Sequence, residues 1–145
     1  MTGPKIADNA ATDVFVVTAS NVSVTGVPGV PVGSLSDIIS ITFTPVATGS
    51  ALITASAATE HTTDAVQINA GLNTYFKVNG TLTSNTTQSV FSQDMPSNTT
   101  LRASFTRSFY LNVVSGTPYT VILQGNKAGS VIIKEVEMRV EVVKK

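Results

Sequence analysis

Apolar and polar residues alternate along the carboxyl-terminal third of the chain. From residue 101 to 113 the odd positions are apolar except Arg107, and the even positions are polar except Tyr110. The alternation returns from residue 132 to 142, where the even positions hold most of the apolar side chains and the odd positions most of the charged ones. A period of two is typical of a β-strand with one face on a hydrophobic core and the other in water.

This part of the chain is predicted to form three strands, at 101–114, 119–124 and 130–143. Turns are expected between them at 116–118 and 125–129, where glycine is frequent. The last segment contains glutamate, lysine, methionine and arginine, which are common in helices. Its period of two and its many valines nevertheless favour a strand.

Shorter strands are predicted upstream. The strict alternation in 39–44 and the apolar run in 50–57 predict a hairpin or bulged pair around a turn at 47–49. Further strands are expected at 14–18, 66–70 and 75–78. The dipeptide Asn79-Gly80 predicts a tight turn, because both residue types tolerate positive φ.

Four segments lack a strand pattern. Prolines at 28 and 31 exclude a central strand in 24–33, because proline removes a donor from the hydrogen-bonded ladder. Residues 60–64 are expected to form a polar loop, residues 81–100 a long loop with one short strand, and residues 1–12 an extended arm. About eight strands without a convincing helix predict an all-β fold, an antiparallel sandwich or jelly roll, in one domain at 13–145.

The composition is neutral and poor in charge. Nine basic and nine acidic side chains give a formal net charge of zero, and charged residues make up 12% of the chain against 42% hydrophobic ones. Neutrality removes the counterion-release contribution to nucleic-acid binding and the attraction of basic segments to anionic membranes. So little surface charge also protects poorly against self-association, so we expect identical subunits to cover part of the surface.

Cysteine and targeting signals are missing from the sequence. The absence of cysteine excludes disulfides and thiol chemistry. The first five residues begin no apolar run of signal-peptide length, and no stretch of about 18 apolar residues follows. We therefore expect synthesis in a cytoplasm and no membrane insertion.

Residues that could support catalysis or bind a metal are few. His61 lies in the run Glu60-His61-Thr62-Thr63-Asp64, but mixed nitrogen and oxygen metal sites usually need more histidine and a second segment. A serine hydrolase would need His61 as its base and a Gly-x-Ser-x-Gly elbow, which is missing. Glu135, Glu137 and Glu141 share an unshielded strand face, with neighbours about 7 Å apart. We predict no catalytic residue, no metal and no cofactor, and expect a protein that is not an enzyme.

Arg107 is the charged residue that breaks the alternation of its strand. Arg102 and Arg107 near several aromatic residues resemble a stacking platform for single-stranded nucleic acid. The alternation instead places Phe105, Arg107 and Phe109 on the inner face, away from Arg102, which favours core packing. A buried Arg107 would need a partner, either Asp94 or a carboxylate of a neighbouring subunit, and is therefore a candidate assembly residue.

The carboxyl-terminal pattern resembles a known family. A long apolar strand is followed by a Gly-x-x-Tyr turn at 116–119, the run Tyr-Thr-Val-Ile-Leu-Gln-Gly, a glycine-rich turn and a final alternating strand. This order, over roughly 39–143, resembles the closing strands of the jelly roll shared by tumour necrosis factor and complement globular-head domains, whose relatives occur in phage tail-fibre tips and capsid-decorating proteins. The resemblance implies a homotrimer, in which Tyr119, Val121 and Leu123 match the strand near the threefold axis.

Three functions are compatible with this sequence. The leading hypothesis is a non-enzymatic virion protein, a capsid-decorating trimer of a bacteriophage that binds the major capsid or tail proteins. The absence of a heptad pattern or repeat favours a capsid surface over a tail fibre. The second is a fibre tip or carbohydrate-binding adhesin that binds a host-surface glycan through the loop 81–100, with Phe91 and Asp94 as candidate ligand residues. The third is an enzyme that depends on His61.

Overall fold

Nine β-strands make up the regular structure of the described residues. The computed structural model describes residues 11–29, 33–63, 69–83, 88–94, 96 and 98–144. Within these ranges there is no helix, and so none that could span a membrane. The strands are β1 (Ala11–Ser23), β2 (Ser36–Phe43), β3 (Gly49–Thr62), β4 (Asn69–Val78), β5 (Thr81–Leu82), β6 (Gln88–Asp94), β7 (Thr100–Val113), β8 (Tyr119–Ala128) and β9 (Ser130–Lys144).

The strands form two antiparallel sheets that pack face to face. One sheet has four strands in the order β1-β9-β3-β7. The other has the order β2-β8-β4, with β5 and β6 both paired to the far edge of β4. Because β5 and β6 together occupy one strand position, this is the eight-position order of a jelly roll. The predicted all-β sandwich is confirmed.

The three carboxyl-terminal strands lie close to their predicted positions. β7 and β9 agree with the prediction to within one residue, whereas β8 continues through residues 125–128, which were expected to form a turn. In β9 the register shifts at Lys134, since Glu135 lies opposite Ala58 and Ile133 opposite Thr59. This bulge reverses the alternation, so Ile133, and not Ile132, is fully buried.

Two local predictions upstream are wrong. β2 and β3 do not form a hairpin, because β2 pairs with β8 in one sheet and β3 pairs with β7 and β9 in the other. Residues 60–62 are the end of β3 and not a polar loop. Residues 69–78 form the single strand β4, and the predicted strand at 66–70 lies mostly outside the described residues. The arm predicted at 1–12 also falls mainly outside them, since the described chain begins with β1 at Ala11.

The hydrophobic core fills the space between the sheets. Its inward side chains come from alternate positions of β3, β8 and β9, together with residues of β2 and β4. At one end of the core, the ring of Phe43 lies between Phe15, at 5.4 Å, and Tyr119, at 5.6 Å. The fully buried residues include Ile53, Leu72, Phe76, Val113, Val121, Leu123, Val131, Ile133, Met138, Val140 and Val142.

The connection from β1 to β2 crosses one end of the sandwich in close contact with β8. The amide of Lys127 donates a hydrogen bond to the carbonyl of Gly26 at 3.0 Å. A Cβ at Gly26 would lie 2.4 Å from the carbonyl oxygen of Gly125, so a larger residue does not fit there. The described parts of this connection, 24–29 and 33–35, contain no strand, as the prolines predicted.

Candidate functional site

The outer face of the four-stranded sheet is the surface that points away from the five-stranded sheet. Towards one end of this face, alternation along β1, β3, β7 and β9 places mainly small side chains outward, while most large apolar ones point into the core. Two cross-strand rows line a shallow groove of about 590 Å³, and each row consists of small residues and one glutamate. The rows are Thr18, Glu137, Ser56 and Thr106, and Ser20, Glu135, Ala58 and Ser104.

Larger apolar side chains lie beside this groove on the same outer face. Val14 and Val16 on β1 are each 49% exposed, and Tyr110 on β7 is 72% exposed. Leu52 on β3 lies opposite Tyr110 in the register and is half-buried. The two valines lie at the β1 edge of the sheet and Tyr110 at the opposite β7 edge, so they flank the face from both sides. Exposed apolar residues on a sheet face contribute to contact surfaces for other proteins.

The charged side chains of the outer face are exposed to solvent, and the ion pair among them is weak. Glu135 and Glu137 are exposed, as expected for a wet strand face. Nε of Arg139 donates to Oε1 of Glu141 at 2.8 Å, and both side chains are well exposed, so this pair contributes at most about 1 kcal/mol. Among the described residues, no three histidine or acidic side chains come together as a metal site would require.

On the outer face of the five-stranded sheet, several polar side chains of β4 and β8 are buried, whereas those of β2 are exposed. Tyr75 is 4% exposed and Asn126 is fully buried. Nδ2 of Asn73 donates to Oδ1 of Asn126 at 3.0 Å, and Nε2 of Gln124 donates to Oδ1 of Asp37 at 2.6 Å. Since these side chains satisfy each other within the subunit, the four-stranded sheet offers the more accessible face.

His61 lies in the interior of the sandwich and not in a solvated loop. Its side chain is 0% exposed, and Nε2 lies 2.7 Å from Oγ1 of Thr59. Oγ1 of Thr59 also lies 3.2 Å from the carbonyl oxygen of Ala103 on β7, which accepts a hydrogen bond from it. Burial lowers the pKa of His61 below its usual value, which favours the neutral ring.

Arg107 points inward, as its alternation predicted, and joins the two sheets. Its Nη1 donates to the carbonyl oxygen and to Oγ1 of Thr74, both at 2.6 Å, and the guanidinium carbon lies 5.6 Å from the centre of the Phe76 ring. Phe109 packs on the same ring, with 4.7 Å between the centroids, so the aromatic residues near Arg107 belong to the core. Burial lowers the pKa of this guanidinium.

Thr74 was not anticipated as a partner of Arg107, because nothing in the local sequence relates the two.

The side chains of Phe91 and Asp94, the candidate ligand residues, lie outside the described atoms. Their backbones belong to β6, where Phe91 lies opposite Leu72 and Asp94 opposite Asn69. Part of the expected loop 81–100 is therefore a sheet edge.

The three residues of β8 proposed for an oligomer axis have inner positions in the subunit. Val121 and Leu123 are 0% exposed in the core. Tyr119 is half-buried, and its hydroxyl accepts a hydrogen bond from the amide of Val114 at 3.0 Å. In this conformation Val121 and Leu123 have no exposed area to offer another subunit. A role of Tyr119 or Arg107 between subunits stays a prediction.

The comparisons with known proteins gave matches to solved structures. No protein-family model and no curated protein matches the chain. A structure of infectious bursal disease virus, Gx strain, matches 99% of this chain with a TM-score of 0.44 and 12% identity, and the chain spans 37% of that protein. The crystal structure of murine APRIL matches 90% of this chain and 100% of its own length, with a TM-score of 0.42 and 10% identity. A family 35 carbohydrate binding module from Clostridium thermocellum matches 89% of this chain and 98% of its own length, with a TM-score of 0.39 and 11% identity.

Proposed function

We propose that the chain is a non-enzymatic structural protein of a virus particle, a capsid-decorating trimer of a bacteriophage. The observation that carries this proposal is the outer face of the four-stranded sheet, where Val14, Val16 and Tyr110 are exposed beside a groove of small side chains. Small residues allow close approach of another subunit, and tyrosine is enriched in protein interfaces. The partners are two further copies and the major capsid or tail protein, and the location is the virion after synthesis in the host cytoplasm.

The placement of the titratable side chains supports a structural role. Among the described residues, His61 is buried beside Thr59, Arg107 is half-buried and bonded to Thr74, and the outer-face pair Arg139 and Glu141 is open to water. The Arg107 hydrogen bonds join the two sheets, whereas the His61 contact lies within β3 and the Arg139 pair within β9, so each of these groups is engaged inside the subunit.

The mass of the protein in solution tests this proposal. Light scattering coupled to size-exclusion chromatography at micromolar concentration is expected to give three times the subunit mass of 15.1 kDa. Purified protein is also expected to bind to particles that lack it. A strict monomer that binds no particle would refute the proposal.

A fibre tip or carbohydrate-binding adhesin is the second candidate, and the same groove favours it. Its walls carry the hydroxyls of Ser56, Ser104 and Thr106 and the carboxylates of Glu135 and Glu137. Such groups form hydrogen bonds with sugar hydroxyls. A glycan array is expected to show binding that the double variant E135A/E137A loses, and an array without hits would exclude this candidate.

A further inference from the structure

The edge strands of the two sheets differ in how well they resist pairing with another chain. β7 carries an inward-pointing charge, Arg107, at its midpoint. β2 has a register shift between Asp37 and Ile39, and the far edge of β4 is covered by two short strands, β5 and β6. Inward charges, bulges and short edge strands are the features by which natural sheets avoid edge-to-edge association.

β1 lacks these features over residues 14–20. This segment reads Val-Phe-Val-Val-Thr-Ala-Ser and contains no charge, proline or glycine. Its register with β9 is continuous from Asp13 to Ser20, and β9 is its only strand partner among the described residues. Apolar, uncharged segments rich in β-branched residues pair readily when they lie at an open edge.

We propose that the β1 edge pairs with the β1 edge of a second copy of this chain, antiparallel and across a twofold axis. The pair would join two four-stranded sheets into one sheet of eight strands. Directly opposite residues of an antiparallel pair project to the same side of the sheet. The twofold axis must therefore lie between one residue and the same residue of the second copy. Outer residues then lie opposite outer residues, and inner residues opposite inner ones.

The side chains of β1 favour a register centred on Val16. Val16 then lies opposite Val16 of the second copy, on the outer face, where it is 49% exposed in the subunit. Phe15 lies opposite Val17 of the second copy, an aromatic and β-branched pair of a kind that stabilises sheets. The paired segment in this register is 13–19, so its uncharged part is 14–19 and Asp13 lies at each end of the pairing. Asp13 is opposite Ala19, so the twofold axis brings no like charges together.

This contact is additional to the threefold contact proposed above. A twofold pair links two trimers, or two single subunits, so the measured mass is twice that of the trimer or of the subunit. Pairing over seven residues is about 23 Å long, and edge contacts of this extent belong to the small interfaces typical of weak, reversible complexes. The doubling is therefore expected to depend on protein concentration.

Disulfide trapping tests the register directly, because the chain has no cysteine of its own. Across the axis, the Cα atoms of residue 16 would lie about 4.5–5.5 Å apart, within the range that a disulfide spans. V16C is expected to form a disulfide-linked dimer under mild oxidation. S108C is the matched control, since Ser108 is exposed on the same outer face but lies on β7. Equal cross-linking of the two variants, or none in V16C, would overturn the proposal.

Charge variants at the same position supply a second test, measured by sedimentation over a range of concentrations. V16K and V16E are each expected to lose the doubling, an equimolar mixture of the two to regain it, and S108K to retain it. Doubling that survives in V16K, or a mixture that stays undoubled, would refute the pairing. Wild-type protein that doubles only after removal of residues 1–10 would show that the chain covers its own edge, which also refutes it. Because Val16 also belongs to the outer face proposed for the threefold contact, the twofold contact is judged by the doubling of mass and the threefold contact by Y110S, which lies on β7 away from the β1 edge, so the two proposals can fail separately.

Discussion

The two faces of the four-stranded sheet are built from the same strands, but the side chains of one face are buried in the core and those of the other are exposed. On the inner face Ile53, Met138 and Val140 are 0% exposed, whereas Ser56 and Glu137 on the outer face are exposed. A shift of one residue in any strand would exchange the two faces, so the inner residues hold the register. The difference shows that one set of positions specifies the fold, while the alternate set is free to serve a partner.

The largest effect is expected from shortening an inner side chain. I53A removes a fully buried side chain and leaves a cavity, which is expected to lower the free energy of unfolding by about 2–5 kcal/mol. S56A, on the outer face of the same strand, is the control and is expected to change it by less than about 0.5 kcal/mol. Urea denaturation followed by circular dichroism measures both. Equal losses in the two variants would contradict the distinction between the faces.

The two arginines of β7 sharpen the same comparison. R107A removes two hydrogen bonds to Thr74 and the contact with Phe76, and is expected to cost about 1–3 kcal/mol of stability. Arg102 points outward, with its side chain 87% exposed and its Nε 3.5 Å from Oε2 of Glu60, so R102A is expected to cost less than about 1 kcal/mol. Urea denaturation of the two variants measures both losses of stability. A larger loss of stability in R102A than in R107A would contradict the assignment of Arg107 to the inner face.

His61 gives the inner face a pH dependence. Burial lowers the pKa of the folded His61 below the unfolded value of about 6.5, so the unfolded chain binds more protons between these two values. Stability is therefore expected to be constant above about pH 6.5 and to fall as the pH drops below it, by at most about 1.4 kcal/mol per pH unit. Unfolding measured from pH 7.5 to 5 in wild type and in H61Q checks this. An identical slope in H61Q would assign the effect to other groups.

The smallest effect on stability is expected on the outer face. Tyr110 is 72% exposed, so Y110S is expected to change the free energy of unfolding by less than about 0.5 kcal/mol. If the outer face contacts other subunits, the same variant is expected to weaken the trimer in light-scattering measurements. N112S, also outward on β7, is the control. A stable trimer of Y110S would move the threefold contact away from this residue.

The sequence predicted strands well where one face is apolar and the other polar. The alternation around Arg107 placed β7 correctly, and it correctly turned Phe105 and Phe109 inward. It failed at the end of β3, because Thr59, His61 and Thr63 are polar residues with inner positions and so resemble a loop. A buried polar group is stabilised by partners from distant strands, which a local pattern does not record.

The sequence also did not predict which distant segments pair with each other. β2 and β3 are adjacent along the chain, which favoured a hairpin, but the connection between them crosses from one sheet to the other. The alternation of β8 identified Val121 and Leu123 as one face of a strand. Because the core of a subunit and an oligomer axis are both apolar, the pattern did not distinguish between them. The outer groove left a weaker signal, the short side chains at 104 and 106, which form a groove only when β3 and β9 lie beside them.

The position of β9 has a consequence for how the chain is made. β9 lies between β1 and β3 in the four-stranded sheet, although it leaves the ribosome after every other described strand. Until then β1, the first described strand to emerge, has no neighbour in its sheet, and its uncharged edge is available to other nascent chains on the same message. Translation of this fifteen-residue strand is thus the step that completes the four-stranded sheet and covers one of the two edges of β1.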